Sequence, residues 1–417
     1  MLIDCLGTTE QFATVFSDRS VLEAMLQFEA ALARSQARLG MIPQTAADAI
    51  CAVRTDKFAP TAIAREARDS ASVAIPFVQA LRRETGNDFV HWGATSQDVI
   101  DTALILLLAQ ARVLLQHDHE RLSIAMRRLS TEHKSTLMLA RTLMQPASVT
   151  TFGYKVALWY GGVSRSWRRL SESFDRGLLL QFGGASGTLA AYGDHGPMLA
   201  RELSEELNLP VAPPWHTQRD RLAAIVADLG IYAGSLGKMA GDIILMMQFE
   251  VGELSETGGG SSAMPHKHNP SGSTVALAGC ARIPELVAAY LGALVQEHER
   301  ASGAWQSEWQ TVAEIVCATG SVLTALCRVF ETLEVSPQRM RQNLDSTYGT
   351  ALSEKAALLL AAESGRAAAQ EKVRKAVATA YQLERPLSEI LNMNLGGPED
   401  YLGSSEMFRR QLLEDVE

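Results

Sequence analysis

The chain has 417 residues, 47% of them hydrophobic, which is enough for a large core or for two to three domains. Its 38 basic and 47 acidic side chains leave a net charge of −9, and no basic run is long enough to suit nucleic acid or a membrane surface. An acidic protein that acts on an anion must gather its positive charge locally.

The opening stretch MLIDCLGTTEQF carries an acid and no basic-then-apolar run, so no secretory leader is expected. The five cysteines (Cys5, Cys51, Cys280, Cys317, Cys327) are odd in number, scattered and without metal spacing. They predict reduced, mostly buried thiols in a cytoplasmic protein. Apolar segments read as interrupted by charge before the roughly 18 residues that span a bilayer.

Residues 17–40 repeat apolar positions at three and four and stop at Gly40, which predicts a helix. Two further helical stretches, 44–54 and 59–84, lead to the polar stop Thr85-Gly86-Asn87-Asp88. No alternating strand pattern of any length is visible. In His91-Trp92-Gly93-Ala94-Thr95-Ser96-Gln97-Asp98, Thr95 and Asp98 have capping-box spacing before an apolar run from Val99. Thr95 and Ser96 therefore belong at a helix N-terminus, where free N–H groups and the helix dipole suit a carboxylate; a plain cap is the other reading.

A helix follows to about Ser130, and another runs from near Gly153 toward Leu180, with Arg141-Thr142-Leu143-Met144-Gln145-Pro146-Ala147-Ser148-Val149-Thr150-Thr151-Phe152-Gly153 leading into it. Gly183-Gly184-Ala185-Ser186-Gly187-Thr188 reads as a tight turn. Trp215-His216-Thr217-Gln218-Arg219-Asp220-Arg221 then opens a helix over 222–249, whose Gly230, Gly234, Gly237 and Gly241 suggest close approach of a neighbouring helix. Arg219 and Arg221 suit bidentate pairing with a substrate carboxylate; an arginine bonded to Asp220 or to the helix surface is the equal alternative.

The next stretch, Gly258-Gly259-Gly260-Ser261-Ser262-Ala263-Met264-Pro265-His266-Lys267-His268-Asn269-Pro270, has the makings of a mobile active-site loop. Its glycines let the backbone swing and its prolines stiffen the far half. Serine is a poor base unless a cation and aligned N–H donors stabilise its alkoxide, and Lys267 is near in sequence. Lys267 and Asn269 suit the enolate formed when a carbon beside a carboxylate loses its proton. His266 and His268 lack a third ligand, so no metal is expected. Helices over 272–298, with a kink at Pro284, and 304–334 complete a set of five long ones. Ser336-Pro337 caps and opens another.

The loop motif S-S-x-M-P-x-K-x-N-P resembles the signature of the fumarase/aspartase superfamily. His91–Asp98 and Arg141–Gly153 are similar to that superfamily's other two signature regions, and the likeness spans nearly the whole chain. It implies an all-α fold of three helical domains, 1–98, 99–345 and 346–417, with the catalytic loop at 256–272. The central five-helix bundle would assemble into a tetramer with a 20-helix core, each active site shared between subunits and acting on a small polycarboxylate without a cofactor. Ser261 is implied as the proton carrier with Lys267 and Asn269. Substrate contacts are implied at His91, Thr95, Ser96, Arg141, Gln145, Thr150, Thr151, Trp215, His216, Arg219, Ser262, Met264 and His298.

Leu143 departs from the pattern, because lyases of the superfamily have there a histidine that serves the leaving group. Amine and hydroxide leaving groups need a proton, whereas a departing carboxylate is already a stable anion. W-H-x-Q-R-D-R and, at Glu297–Trp309, E-H-E-R-x-x-G-A-W-Q-x-E-W look like the cycloisomerase branch, which lactonises a carboxymuconate. His298 is read as an inter-subunit ion-pair partner or a pocket proton carrier. A lyase of the same fold expelling another stable anion, an adenylosuccinate-lyase-like C–N lyase, and a catalytically silent structural homologue are the alternatives.

Overall fold

A computed structural model describes residues 2–260 and 263–414. The helices are α1 (Glu10–Val15), α2 (Asp18–Arg38), α3 (Gln44–Cys51), α4 (Pro60–Ser70), α5 (Ala74–Thr85), α6 (Ser96–Glu132), α7 (Phe152–Gly177) and α8 (Gly196–Leu207). They continue as α9 (Asp220–Met247), α10 (Ser271–Gly292), α11 (Ala304–Thr332), α12 (Pro337–Asp345), α13 (Ser353–Ser364), α14 (Arg366–Leu383), α15 (Leu387–Leu391) and α16 (Ser405–Glu414). The all-α class is therefore borne out, with α6, α7, α9, α10 and α11 as the five long helices. Ser336 caps α12 as expected, its hydroxyl accepting from the Arg339 N–H at 3.2 Å.

Two compact units make up the chain. One comprises Met1–Asp118, Ser166–Gly234 and Ala278–Thr324; the other comprises His119–Arg165, Ser235–Leu277 and Ala325–Glu417. They group residues by contact rather than by order along the chain.

In the first unit the predicted helix over 59–84 breaks in two. Ala71 adopts a left-handed φ of 49°, the Ser70 hydroxyl donates to the Ser72 carbonyl at 2.9 Å, and the Ala74 N–H donates to the Ser72 hydroxyl. Serine hydroxyls offer the backbone partners other than the helix ladder, and here they end it. The core of this unit includes Phe12, Phe28, Phe77, Leu104, Ile105, Leu108, Tyr232 and Ile283, all buried. At Gly230 a Cβ would come within 2.9 Å of Val287, so α10 does approach there, whereas at Gly234 a Cβ meets nothing within 4 Å.

In the second unit the expectation of no strands needs correction. β1 (Leu137–Thr142) pairs antiparallel with β2 (Gln145–Thr151). Alternation is absent because neighbouring Met138 and Leu139 are both buried. Leu139 and Val149 join a core with Leu344, Leu352, Leu360, Val373 and Leu387 from the C-terminal helices. A two-residue ladder pairs β3 (Leu254–Ser255) with β4 (Glu334–Val335). At Gly241 a Cβ again meets nothing within 4 Å, so close packing does not explain that glycine.

Two composition-based expectations also change. Cys327 is buried, but Cys5 and Cys51 are exposed and Cys280 and Cys317 half-buried; all are free thiols. Helices α9, α10 and α11 are long and apolar enough to cross a membrane by length and composition, contrary to the reading of interrupted segments. Asp228 on α9 is nonetheless paired with Arg169 at 2.9 Å. Of the apolar window in α10, only 22% is buried within the chain.

Candidate active site

In the first unit the candidate site residues gather around the N-terminal turns of α6. The Thr95 N–H donates to Asp98 Oδ2 at 3.1 Å, one half of the expected capping box. The Thr95 hydroxyl instead accepts from Arg300 Nη2 at 2.9 Å, and Arg300 Nε donates to Gln97 Oε1 at 3.2 Å. Ser96 is the first residue of α6. Arg300 thus supplies the local positive charge that an acidic protein needs, on the helix end whose dipole has the same sign. Sequence reasoning passed over Arg300, although it stands in the motif around His298.

Asp98, fully buried, also accepts from Gly183 N at 2.8 Å, Gly184 N at 2.9 Å and Gln181 Nε2 at 3.2 Å. Its carboxylate fastens the small-residue turn beside α6. His216 lies against the same group: Nε2 is 3.7 Å from Asp98 Oδ1, buried and without a hydrogen bond. The His216 carbonyl accepts from Gln97 Nε2 at 2.8 Å. Trp215 is buried, its indole N–H donating to the Leu180 carbonyl at 3.1 Å. His91 holds Glu29 at 2.5 Å through Nδ1. His298 is exposed at a left-handed φ of 50°, and its carbonyl accepts from the Thr217 hydroxyl.

Arg219 takes the protein-internal role, with partners other than those expected. Its guanidinium is fully buried, with Asp101 at 2.7 Å and Glu308 at 2.6 Å, and it lies over the Trp215 ring. Trp305 Nε1 donates to Asp101 and Gln296 Nε2 to Glu308. Burial resists charging Arg219, but the two carboxylates outweigh it and raise its pKa. Burial also lifts the Glu308 carboxyl, against the pull of Arg219. No donor of this fork is left for a substrate carboxylate, so pairing of Arg219 with one is set aside.

In the second unit the loop begins with left-handed backbone at Gly258 and Gly259, φ 105° and 68°. The Asn269 N–H donates to the Gly259 carbonyl at 3.0 Å, and Gly260 bridges to His268. A Cβ on Gly259 would sit 2.3 Å from the Asn269 carbonyl oxygen, so this neck closes only on glycine. Beyond it, Lys267 and Met264 are exposed and Asn269 is half-buried. Ser261 and Ser262 lie outside the described residues. At the base of the loop, Glu256 accepts from Gly272 N at 2.8 Å and Ser273 N at 3.1 Å, capping α10.

The hairpin β1–β2 carries the second motif. Arg141 makes a two-pronged pair with fully buried Glu253, at 3.0 and 2.8 Å, and Asn343 Nδ2 donates to the same carboxylate. The hairpin and the approach to the loop are thereby joined. Thr151 is buried and its hydroxyl accepts from the Tyr154 N–H at the start of α7, while Thr150 faces Met138 in the ladder. Gln145 pairs with Thr142 across the turn, and Leu143 and Met144 form that turn with φ of 50° and 66°. The Leu143 side chain is 97% exposed.

Residues 5–284 match the family model described as Lyase. The chain is 42% identical over 402 residues to the 3-carboxy-cis,cis-muconate cycloisomerase of Pseudomonas aeruginosa, covering 94% of this chain and 88% of that protein. It is 37% identical to the nitrosuccinate lyase of Streptomyces davaonensis, covering 90% and 83%. Among solved structures, the 3-carboxy-cis,cis-muconate lactonizing enzyme of Pseudomonas putida superposes with a TM-score of 0.93 at 37% identity, over 100% of this chain and 98% of that one.

Proposed function

The chain belongs to the lyase family, the fumarase/aspartase superfamily, and from that membership we propose that it is a 3-carboxy-cis,cis-muconate cycloisomerase. One substrate carboxylate adds to the diene, forming the C–O bond of the lactone, and the displaced electron pair moves onto the neighbouring carboxylate as an enolate. Lys267 and Asn269 steady that enolate and protonated Ser261 delivers the proton to carbon. In the reverse direction the serine alkoxide is the base. Thr95, Ser96, Thr150 and Thr151 hold the other carboxylates, and Arg300 adds its charge beside Thr95.

The observation that carries this reading within the family is Leu143. It lies at the tip of the hairpin, and the resemblance aligns it with the histidine that serves amine or hydroxide leaving groups in other lyases of the superfamily. A carboxylate needs no such donor. The same residue favours a second reading, a lyase that expels another stable anion, supported by the likeness to a nitrosuccinate lyase.

The hairpin and the catalytic loop are read as serving sites shared among copies in a tetramer, each signature region coming from a different chain. The support is α10, an apolar helix only 22% of whose apolar window is buried within one chain. The proposed setting is the cytoplasm, consistent with five free thiols. A coupled absorbance assay with 3-carboxymuconate tests the assignment. Turnover is expected; no turnover, with turnover of an aminosuccinate instead, overturns it.

A further inference from the structure

Glu29 has no part in the reaction just described, yet it stands, 1% exposed, on the buried face of α2 that also carries Met25, Leu32 and Gln36. A buried carboxylate persists only with a partner. That partner is His91, whose Nδ1 lies 2.5 Å from Glu29 Oε1. His91 itself holds a left-handed φ of 58°, uncommon for a residue with a Cβ. The following residue is pinned, because the Tyr192 hydroxyl and Gln36 Nε2 both donate to the Trp92 carbonyl, at 2.6 and 2.7 Å. A backbone conformation of this kind persists where several contacts impose it, and here they fix the position of one imidazole.

With Nδ1 engaged, Nε2 lies on the far side of the ring. Among the described residues it makes no hydrogen bond, and the side chain keeps 13% exposure. We propose that Glu29 is a positioning residue, which holds the His91 ring at Nδ1 and presents its Nε2–H as a donor to an anionic group of the substrate. The inference rests on the reading of His91 as a substrate-binding residue. The charged surroundings agree with it. Burial resists protonation of His91, but Glu29 on α2 overrides it, Asp98 on α6 adds to the effect, Arg82 on α5 opposes it, and the net result is a raised pKa. As an imidazolium the ring donates from both nitrogens, Nδ1–H to Glu29 and Nε2–H outward, and more strongly than a neutral ring does.

The test uses the full-length protein, labelled at histidine Cε1, with propane-1,2,3-tricarboxylate as the probe anion. Glu29→Gln is expected to lower the titration midpoint of His91 and to weaken tricarboxylate binding about 10-fold. Glu29→Asp, which keeps the charge, recovers most of that loss. His91→Gln and the double variant should bind alike, since Glu29 acts only through the ring. Circular dichroism identifies variants that fail to fold, in which case Glu29→Asp alone carries the comparison of midpoint and affinity. No binding by the unaltered protein overturns the proposal, as does wild-type behaviour of Glu29→Gln. So does an undiminished effect of Glu29→Gln in the His91→Gln background. If this binding pattern holds and 3-carboxymuconate is not turned over, the proposed reaction fails and the positioning role stands.

Discussion

At Arg219, burial decides between two uses of one side chain. A guanidinium with both faces of its fork on Asp101 and Glu308 is a structural tie, and its removal leaves two buried carboxylates without a counter-charge. Arg219→Leu should therefore destabilise the protein by about 3–5 kcal/mol, read from denaturant unfolding. An unchanged midpoint would contradict the tie. Ser261 is tested by chemistry instead. Ser261→Ala should lower kcat at least about 10²-fold with little change in unfolding, as expected for a group that acts in the transition state. Near-normal kcat would exclude it as proton carrier. Among single residues the sequence motifs singled out His91, Thr95 and His216. They did not single out Glu29 or Arg300, because a partner 62 positions away for His91, and 205 away for Thr95, leaves no local spacing to read.

At the scale of elements, the proposed catalytic loop is a neck-and-flap. The neck is the Gly259–Asn269 backbone bond and the base is Glu256 on the first N–H groups of α10. Gly259→Ala places a Cβ on the Asn269 carbonyl at a φ that resists side chains, so the neck must open. The expected outcome is a kcat at least about 10-fold lower with an almost unchanged melting temperature, since the described residues 263–268 beyond the neck are exposed. A large fall in melting temperature instead would make the loop a stability element. Helices were legible because their apolar period survives one-sided burial, as in α2 and α11. The hairpin was not, because both of its faces are covered at Met138 and Leu139 and its turn uses Leu143 and Met144 rather than the usual Asn-Gly.

For the whole molecule, the proposed sharing of sites makes a prediction that one chain alone cannot satisfy. Ser261→Ala and Thr95→Val chains, each nearly inactive, should regain part of the wild-type activity when mixed under conditions that permit subunit exchange, and light scattering should give the mass of a tetramer. A monomer, or no recovery in demonstrably mixed oligomers, would remove shared sites from the reading.

The amino-acid order by itself determined the helical class, the five long helices, the lyase signatures and Leu143 in the second of them, since periodicity and motif spacing are local properties. Only the tertiary structure decided which charges neutralise one another: that Arg219 is shut in by Asp101 and Glu308, that Arg141 is held by Glu253, and that Glu29 meets His91. The strength and use of a charge depend on burial and on partners brought together across many tens of residues, and folding alone sets both.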